Sequence, residues 1–217
     1  MKQNQDERQQ IVGDTVYRYS AAWINTLETE DHWRLYWQQQ KLIQTEVKPG
    51  QQVLEIGPGS GFTTNYLRAK GVYVTTMDID DRKSPDIVAN VVTFDWSQLQ
   101  VDHILAFEVF EHIPFHEFKI LLTKLSAVCR HNCFISLPLA ERILLRMDIR
   151  LPKLGTKQIK IALPKTLKHQ DHHYWEVGAS NTSLKVLQQV FSSAGFRVIH
   201  TAEKLSRLFF KLQSPHH

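Results

Sequence analysis

Several features that define whole classes of protein are scarce in this chain of 217 residues. Only two cysteines occur, Cys129 and Cys133, which does not suggest a disulfide-stapled secreted domain, and one C-x-x-x-C pair is too little for a metal site. We expect two buried, reduced thiols. No apolar run approaches the roughly 18 residues that a membrane-spanning helix needs. The stretch from Met1 to Gln10 lacks the apolar segment of a signal peptide, so we expect a cytoplasmic protein.

Strong charge is also absent. The formal net charge is +4 with eleven histidines beside it, whereas a dedicated nucleic-acid binder is usually more basic. The hydrophobic fraction of 42% and the charged fraction of 22% are those of a soluble globular protein. We expect one domain over residues 1–217, with a Gln-rich, flexible start at residues 1–16.

The stretch 53–62 (VLEIGPGSGF) contains the most informative pattern in the chain. It predicts a buried strand, a glycine-rich turn and a helix start, with the helix over 63–70 and the next strand over 72–77. Asp78 follows, 21 residues after Gly57. Glycines allow the backbone to approach a ligand, and a carboxylate can accept hydrogen bonds from a ribose diol. The unit therefore indicates a nucleotide-type ligand over the carboxyl ends of parallel strands.

Strand and helix patterns alternate through most of the remaining chain. Alternation of this kind predicts a doubly wound, parallel α/β sheet. After the first two strands, the pattern predicts strands at 86–92, 102–107 and 133–137, helices at 114–130 and 182–194, and two final strands at 196–201 and 206–212.

Aromatic residues concentrate before the first strand, in a helical pattern over 17–47. Trp33, Tyr36 and Trp37 have the i, i+3, i+4 spacing of one helix face. We expect them to lie in the core, and the alternative is an aromatic cap over a ligand.

Residues 139–177 interrupt the alternation and form a long, basic connection. Such connections are usually lids or binding loops, so we expect an acceptor-binding insertion. Over 139–170 there are eight basic residues and two acidic ones. Arg142, Arg146 and Arg150 recur every four residues and would form a stripe on a helix. This charge is consistent with an anionic acceptor, RNA, a solvated face, or peripheral contact of 139–151 with anionic lipid.

Several motifs together resemble a known family. The glycine turn has an E-x-G-x-G-x-G order beginning at Glu55, and Phe62 stands where a dinucleotide site has its third glycine. Asp78 ends the second strand, 107–113 (FEVFEHI) resembles an E-V-x-E-H signature, and 194–196 (AGF) precedes the penultimate strand. Over roughly residues 30–212, the chain resembles the class I S-adenosylmethionine-dependent methyltransferases, in particular their small-molecule subset.

The resemblance implies a fold and a cofactor. The fold is Rossmann-like: a doubly wound, mostly parallel seven-stranded sheet with helices on both faces and an antiparallel strand in the C-terminal pair. The cofactor is S-adenosylmethionine, with S-adenosylhomocysteine as product. The glycine turn would contact the methionine and ribose, and Asp78 the ribose hydroxyls. The implied cofactor-binding residues are Glu55, Gly57, Gly59, Gly61, Asp78, Ile79, Asn90, Val91 and Phe107.

The catalytic candidates lie after the fourth strand and in the insertion. Methyl transfer is an in-line attack on an activated sulfonium methyl, so a general base is needed only for a protonated nucleophile such as a hydroxyl. We expect Glu111, His112 and His173 to serve an O-methylation of a small-molecule or lipid-linked acceptor. Structural alternatives remain: a helix-entry carboxylate, a hydrogen-bonded histidine, and a polar loop over 168–176.

Two other functions stay open. Glu108, Glu111 and His112, with His172 or His173, resemble the metal-binding set of small-RNA 3′-terminal ribose 2′-O-methyltransferases. We expect no metal and no nucleic-acid partner, so a divalent cation enters only in this alternative. The other alternative is a protein that binds the cofactor without catalysis.

Overall fold

The computed structural model describes residues 10–12, 15–17, 29–153, 155–164, 173–179 and 181–216. Strands and helices alternate around one large sheet, and each is numbered here in chain order. The helices are α1 (Glu30–Ile43), α2 (Phe62–Ala69), α3 (Phe115–Val128) and α4 (Leu184–Ser193). The strands are β1 (Gln10–Val12), β2 (Thr15–Tyr17), β3 (Gln52–Ile56), β4 (Tyr73–Asp78), β5 (Ile87–Val88), β6 (Val101–Phe107), β7 (Cys129–Pro138), β8 (Glu141–Leu151), β9 (Gly155–Pro164), β10 (Arg197–Lys204) and β11 (Arg207–Gln213).

The main sheet has seven strands in the order β10-β11-β7-β6-β3-β4-β5. Strands β3 to β7 pair in parallel, whereas β11 is antiparallel to both β7 and β10. The predicted fold class, with its antiparallel strand in the C-terminal pair, is confirmed. The order reverses between β3 and β6, and ligands bind at the carboxyl edge beside such a switch point.

Helices cover both faces of the sheet because its central strands are apolar on both sides. Leu54 of β3 and Ile104 of β6 are fully buried in a cluster that includes Phe118 of α3. Ile43 of α1 and Leu67 of α2 form a second cluster on the other face. This two-sided burial holds the carboxyl ends of the strands as a rigid platform.

Residues 10–12 and 15–17 form an antiparallel ladder, β1–β2, with Ile11 opposite Val16. The helical pattern expected over 17–47 is therefore wrong at its start, whereas the flexibility expected of residues 1–16 stays a prediction. The β-branched residues of this pair favour extended backbone. Tyr17 consequently belongs to a strand, and helix α1 begins at Glu30.

The insertion is a β-hairpin rather than a helix. Strands β8 and β9 pair antiparallel along their whole length, with a bulge between Ile143 and Leu145. The helical interpretation of the arginine stripe over 139–151 is therefore wrong. A four-residue spacing is close to a helical repeat and is also a multiple of the two-residue strand repeat, so it did not discriminate between the two.

The structure also describes the two cysteines and bears on the expected lack of a membrane-spanning helix. Cys129 and Cys133 are buried free thiols as expected, and burial raises the pKa of Cys129 to about 12. Within the described ranges, no helix is both long enough and apolar enough to cross a membrane.

Candidate active site

The glycine turn after β3 adopts backbone conformations that favour glycine. Gly57, Gly59 and Gly61 have φ angles of 67°, 57° and 74°. A Cβ added at Gly57 would lie 2.6 Å from Cγ2 of Val109, whereas one at Gly59 would meet no atom within 4 Å. The turn is thus closed on the Val109 side and open at Gly59, where a ligand can approach the backbone.

Glu55 lies beneath this turn rather than at its surface. Its side chain is buried, and Oε2 accepts a hydrogen bond from the hydroxyl of Thr64 in α2. Burial raises the pKa of Glu55 to about 7, an effect that the Thr64 hydrogen bond opposes. The contact joins the strand to the helix on either side of the glycines, so Glu55 fixes the shape of the turn.

Asp78 is the last residue of β4 and is buried at the carboxyl edge. Its Oδ1 accepts a hydrogen bond from the backbone N–H of Asp80 at 2.9 Å, and its Oδ2 pairs with Nζ of Lys83 at 2.8 Å. Lys83 neutralises a carboxylate that is otherwise costly to bury. Ile79 follows and is half-buried.

The remaining predicted cofactor residues follow the neighbouring strands. Asn90 lies just beyond β5, and its Oδ1 accepts a hydrogen bond from the N–H of Val92 at 2.9 Å. The carbonyl of Val91 accepts one from Nε1 of Trp96 at 3.1 Å. Phe107 ends β6 and is half-buried. Strand β5 covers only Ile87–Val88 and is shorter than the predicted 86–92.

An aromatic wall stands beside the glycine turn. Tyr36 stacks on Phe62 at 4.7 Å between ring centroids, and its hydroxyl lies 2.9 Å from Oγ of Ser60. Trp33 packs edge-on against Phe62, and these residues line a cavity of about 380 Å³. Trp33 and Trp37 are 49% and 60% exposed, so the expectation of a core position is wrong for both. The wall agrees with the alternative of an aromatic cap.

The three catalytic candidates converge. Glu111 and His112 form a 3-10 turn with Phe110 after β6, and His173 reaches them from the insertion. One ligating atom from each of the three lies within 4.8 Å of the other two. The two imidazole rings are edge to face, with centroids 5.0 Å apart.

Glu111 is the electrostatically unusual member of this cluster. Its side chain is fully buried, and neither carboxyl oxygen has a hydrogen-bond partner among the residues that the structure describes. Burial raises its pKa well above the ordinary range, and the nearby carboxylate of Glu108 raises it further. A buried carboxyl in this state is neutral, or it meets a polar or cationic group of a ligand.

The irregular segment 173–177, at the end of the insertion, holds His173 in place. The N–H of Tyr174 donates to the carbonyl of Glu111 at 2.8 Å, and Nε1 of Trp175 donates to the carbonyl of Ile113 at 3.0 Å. Nδ1 of His173 lies 2.8 Å from Oε1 of the buried Glu176. Glu176 was not among the predicted site residues, and only its position three residues after a histidine could have suggested it.

Glu108 does not join the cluster. It has a φ of 57°, its Oε1 accepts a hydrogen bond from the hydroxyl of Ser136 at 2.7 Å, and its Oε2 pairs with Nε of Arg207 at 2.9 Å. Glu108 thus joins β6, β7 and β11 at the carboxyl edge. His172, the other histidine of the alternative metal set, lies outside the described residues.

This sheet order, with a glycine turn after its central strand and polar residues at the neighbouring strand ends, is the architecture of a methyltransferase domain. A protein-family model described as "Methyltransferase domain" matches residues 38–201, about three quarters of the chain, and the chain belongs to that family. The class expected from the motifs, the class I S-adenosylmethionine-dependent methyltransferases, is confirmed.

Similar solved structures share the fold, and the relatives named here act on different acceptors. A "SAM dependent methyltransferase" from Aquifex aeolicus is similar with a TM-score of 0.60 and 16% identity, over 90% of this chain and 98% of that one. Magnesium protoporphyrin IX methyltransferase from Synechocystis PCC 6803, with bound SAM, is similar with a TM-score of 0.51 and 12% identity. The similarity covers 88% of this chain and 79% of that one. "Ribosomal RNA small subunit methyltransferase A" from Streptococcus agalactiae is 37% identical over 67 residues, 30% of this chain and 23% of that protein. The match therefore spans about a quarter of this curated relative.

Proposed function

We propose that this chain is a cytoplasmic enzyme that transfers the methyl group of S-adenosylmethionine to an oxygen of a small-molecule or lipid-linked acceptor. The observation that carries the proposal is the convergence of Glu111, His112 and His173 beside the glycine turn. The side chain of Val109 packs against Gly57, so the segment that leads to Glu111 and His112 lies directly against the donor side of the site.

The residues present fit the cofactor. The turn is open at Gly59, a Cβ at Gly57 would disturb its packing, and Asp78 supplies a carboxylate for a ribose diol at the end of the next strand. The structurally similar methyltransferase from Synechocystis has SAM bound, which supports the same methyl donor for this chain. When bound, S-adenosylmethionine supplies an electrophilic methyl group on a positively charged sulfur.

His173 is the residue best placed to remove a proton from an acceptor hydroxyl. With Nδ1–H donating to Glu176, the lone pair of Nε2 is available as a base, and the Glu176 carboxylate favours the imidazolium that forms. Burial raises the pKa of Glu111 well above its ordinary range, and in its protonated form Glu111 can donate a hydrogen bond to the acceptor. His112, edge to face with His173, completes the wall of the acceptor site.

The experiment separates cofactor binding from turnover. Calorimetry measures S-adenosylhomocysteine affinity, and a coupled assay measures its formation over a panel of phenols, alcohols and carboxylic acids. His173→Ala should retain the affinity and lower kcat by about 100-fold, in the range typical of a general base. His116→Ala, at an exposed histidine, is the matched control. Unchanged turnover in His173→Ala would contradict the proposed role, and binding without turnover on any acceptor would favour a non-catalytic cofactor-binding protein.

A second candidate is metal-assisted methylation of an RNA 3′-terminal ribose. It is favoured by the mutual 4.8 Å spacing of Glu111, His112 and His173, which could hold a divalent cation. Glu108, the fourth member of the set, is instead held by Arg207 and Ser136, which favours the first candidate. Activity abolished by chelation, restored by Mn²⁺ and dependent on vicinal ribose hydroxyls would establish the second candidate over the first.

A further inference from the structure

The hairpin β8–β9 has one face turned toward the body of the protein. On this face, Nζ of Lys160 pairs with Glu141 at 2.6 Å and also with Glu203 of β10. Arg146 donates to the hydroxyl of Ser206 at 2.7 Å, in the turn between β10 and β11. The inner face of the hairpin is thus polar, and Lys160 and Arg146 on it are engaged by the protein itself.

The opposite face is aliphatic and exposed. Leu145 pairs across the strands with Ile161, and Met147 pairs with Ile159. Leu163, two residues beyond Ile161, shares their face. These five side chains are 44–51% exposed. A contiguous apolar strip of this kind usually marks an interaction surface, whereas scattered exposed apolar residues need no explanation.

Exposed cations lie at the two ends of this strip. Arg142, opposite Leu163, lies on the aliphatic face itself, and Lys153 is exposed at the tip of the hairpin. Arg150, opposite Thr156, alternates onto the other face with Arg146 and Lys160. We propose that this face, termed the aliphatic strip (Leu145, Met147, Ile159, Ile161 and Leu163), docks onto a lipid bilayer surface that contains anionic headgroups. The aliphatic side chains would enter the boundary between headgroups and acyl chains, and Arg142 and Lys153 would contact lipid phosphates.

Charge and composition favour lipid over the other occupants of such a face. A second copy of this chain would bring the same cations together, which is unfavourable. Single-stranded nucleic acid is usually bound through aromatic side chains, and β8 and β9 contain none. A bilayer accepts aliphatic and cationic groups side by side.

Docking would also orient the active site. The hairpin begins three residues after Pro138, at the carboxyl edge of β7, and Leu139 forms a bridge with Val177, four residues after His173. The strip and the acceptor cluster therefore share one edge of the molecule. A lipid-linked acceptor would then reach the cluster from the membrane; this consequence rests on the proposed function, but the docking itself does not.

Vesicle flotation with the full chain tests the docking. We expect binding to vesicles of phosphatidylcholine with 30% phosphatidylglycerol, about tenfold or more weaker binding to pure phosphatidylcholine, and weakening by salt. Ile161→Glu should weaken binding to the anionic vesicles by about tenfold or more, because it removes an aliphatic side chain that would enter the bilayer and adds a charge of the same sign as the headgroups. Ile120→Glu is the matched control, since Ile120 is 59% exposed on α3, and it should bind like the wild type.

Calorimetry with S-adenosylhomocysteine accompanies each variant, so that loss of folding or of the cofactor site is distinguished from loss of docking. Equal binding of Ile161→Glu and the wild type would overturn the proposal. So would absence of vesicle binding in the wild type together with a dimer, seen by light scattering, that Ile161→Glu dissociates. Binding to RNA rather than vesicles, unaffected by Ile161→Glu, would overturn it as well.

Discussion

The contact between Gly57 and Val109 makes a quantitative prediction about the donor turn. Gly57→Ala places a Cβ 2.6 Å from Cγ2 of Val109, a β-branched side chain with little rotamer freedom. Gly57 also has a φ of 67°, a conformation that costs an alanine about 1–2 kcal/mol. The steric overlap adds about 1–3 kcal/mol, typical of overpacking. The free energy of unfolding should therefore fall by about 2–5 kcal/mol.

Gly59→Ala is the control that isolates the steric part. Its φ of 57° carries the same conformational cost, but its Cβ would meet no atom within 4 Å. We expect a loss of about 1–2 kcal/mol. The difference of about 2 kcal/mol corresponds to roughly 4–8 °C in Tm for a domain of this size.

Urea denaturation without cofactor, followed by tryptophan fluorescence, measures these losses. Val109→Ala removes the methyl group that the new Cβ meets, so the double variant Gly57→Ala/Val109→Ala should show a favourable coupling energy of about 1–3 kcal/mol. If Gly57→Ala is no less stable than Gly59→Ala, or if the coupling is zero, Val109 does not restrain the turn.

Three further predictions concern the site. Asp78→Asn should weaken S-adenosylhomocysteine binding about tenfold or more in calorimetry, since an amide is a weaker acceptor for a ribose diol, and Asp81→Asn, at an exposed carboxylate, should not. The pKa of Glu55, raised to about 7, should make the free energy of unfolding decline as pH rises from about 4.5 through 7, by about 3 kcal/mol in total. Below 4.5 both states are protonated, and Glu55→Gln should remove the decline. Glu176→Gln should lower kcat about tenfold or more in the coupled assay and leave S-adenosylhomocysteine affinity unchanged, because His173 loses the carboxylate that orients its ring; an unchanged kcat would contradict this positioning role.

The part of the site expected to bind the methyl donor could be predicted from the sequence, because its residues are close together in the chain. Strand, glycine turn, helix and the carboxylate Asp78 all lie within 26 consecutive residues, and each glycine of the turn has the positive φ that its residue type suggests. The mostly parallel seven-stranded sheet followed from the alternation and from the family resemblance. Pairings such as Asp78 with Lys83 did not follow, because an exposed turn gives no periodic signal.

The insertion could not be predicted in the same way. Its basic residues fit a helix and a strand equally well, and the bulge at Leu144 shifts the register of the first arginine relative to the others. What decided the structure is cross-strand pairing of aliphatic residues, such as Leu145 with Ile161, which a spacing argument along one strand does not detect.

Convergence of the catalytic candidates depends on contacts between distant parts of the chain. His173 reaches Glu111 because the backbone of Tyr174 donates to the Glu111 carbonyl and the indole of Trp175 donates to Ile113, 62 residues earlier in the chain. Since Val109 packs on Gly57 only two residues before Glu111, any movement of the donor turn is transmitted to the acceptor cluster through a short, stiff segment. Cofactor binding and the geometry of the acceptor site should consequently be coupled. The Val109→Ala variant should loosen this coupling, so that S-adenosylhomocysteine protects the segment carrying Glu111 from hydrogen exchange less than it does in the wild type.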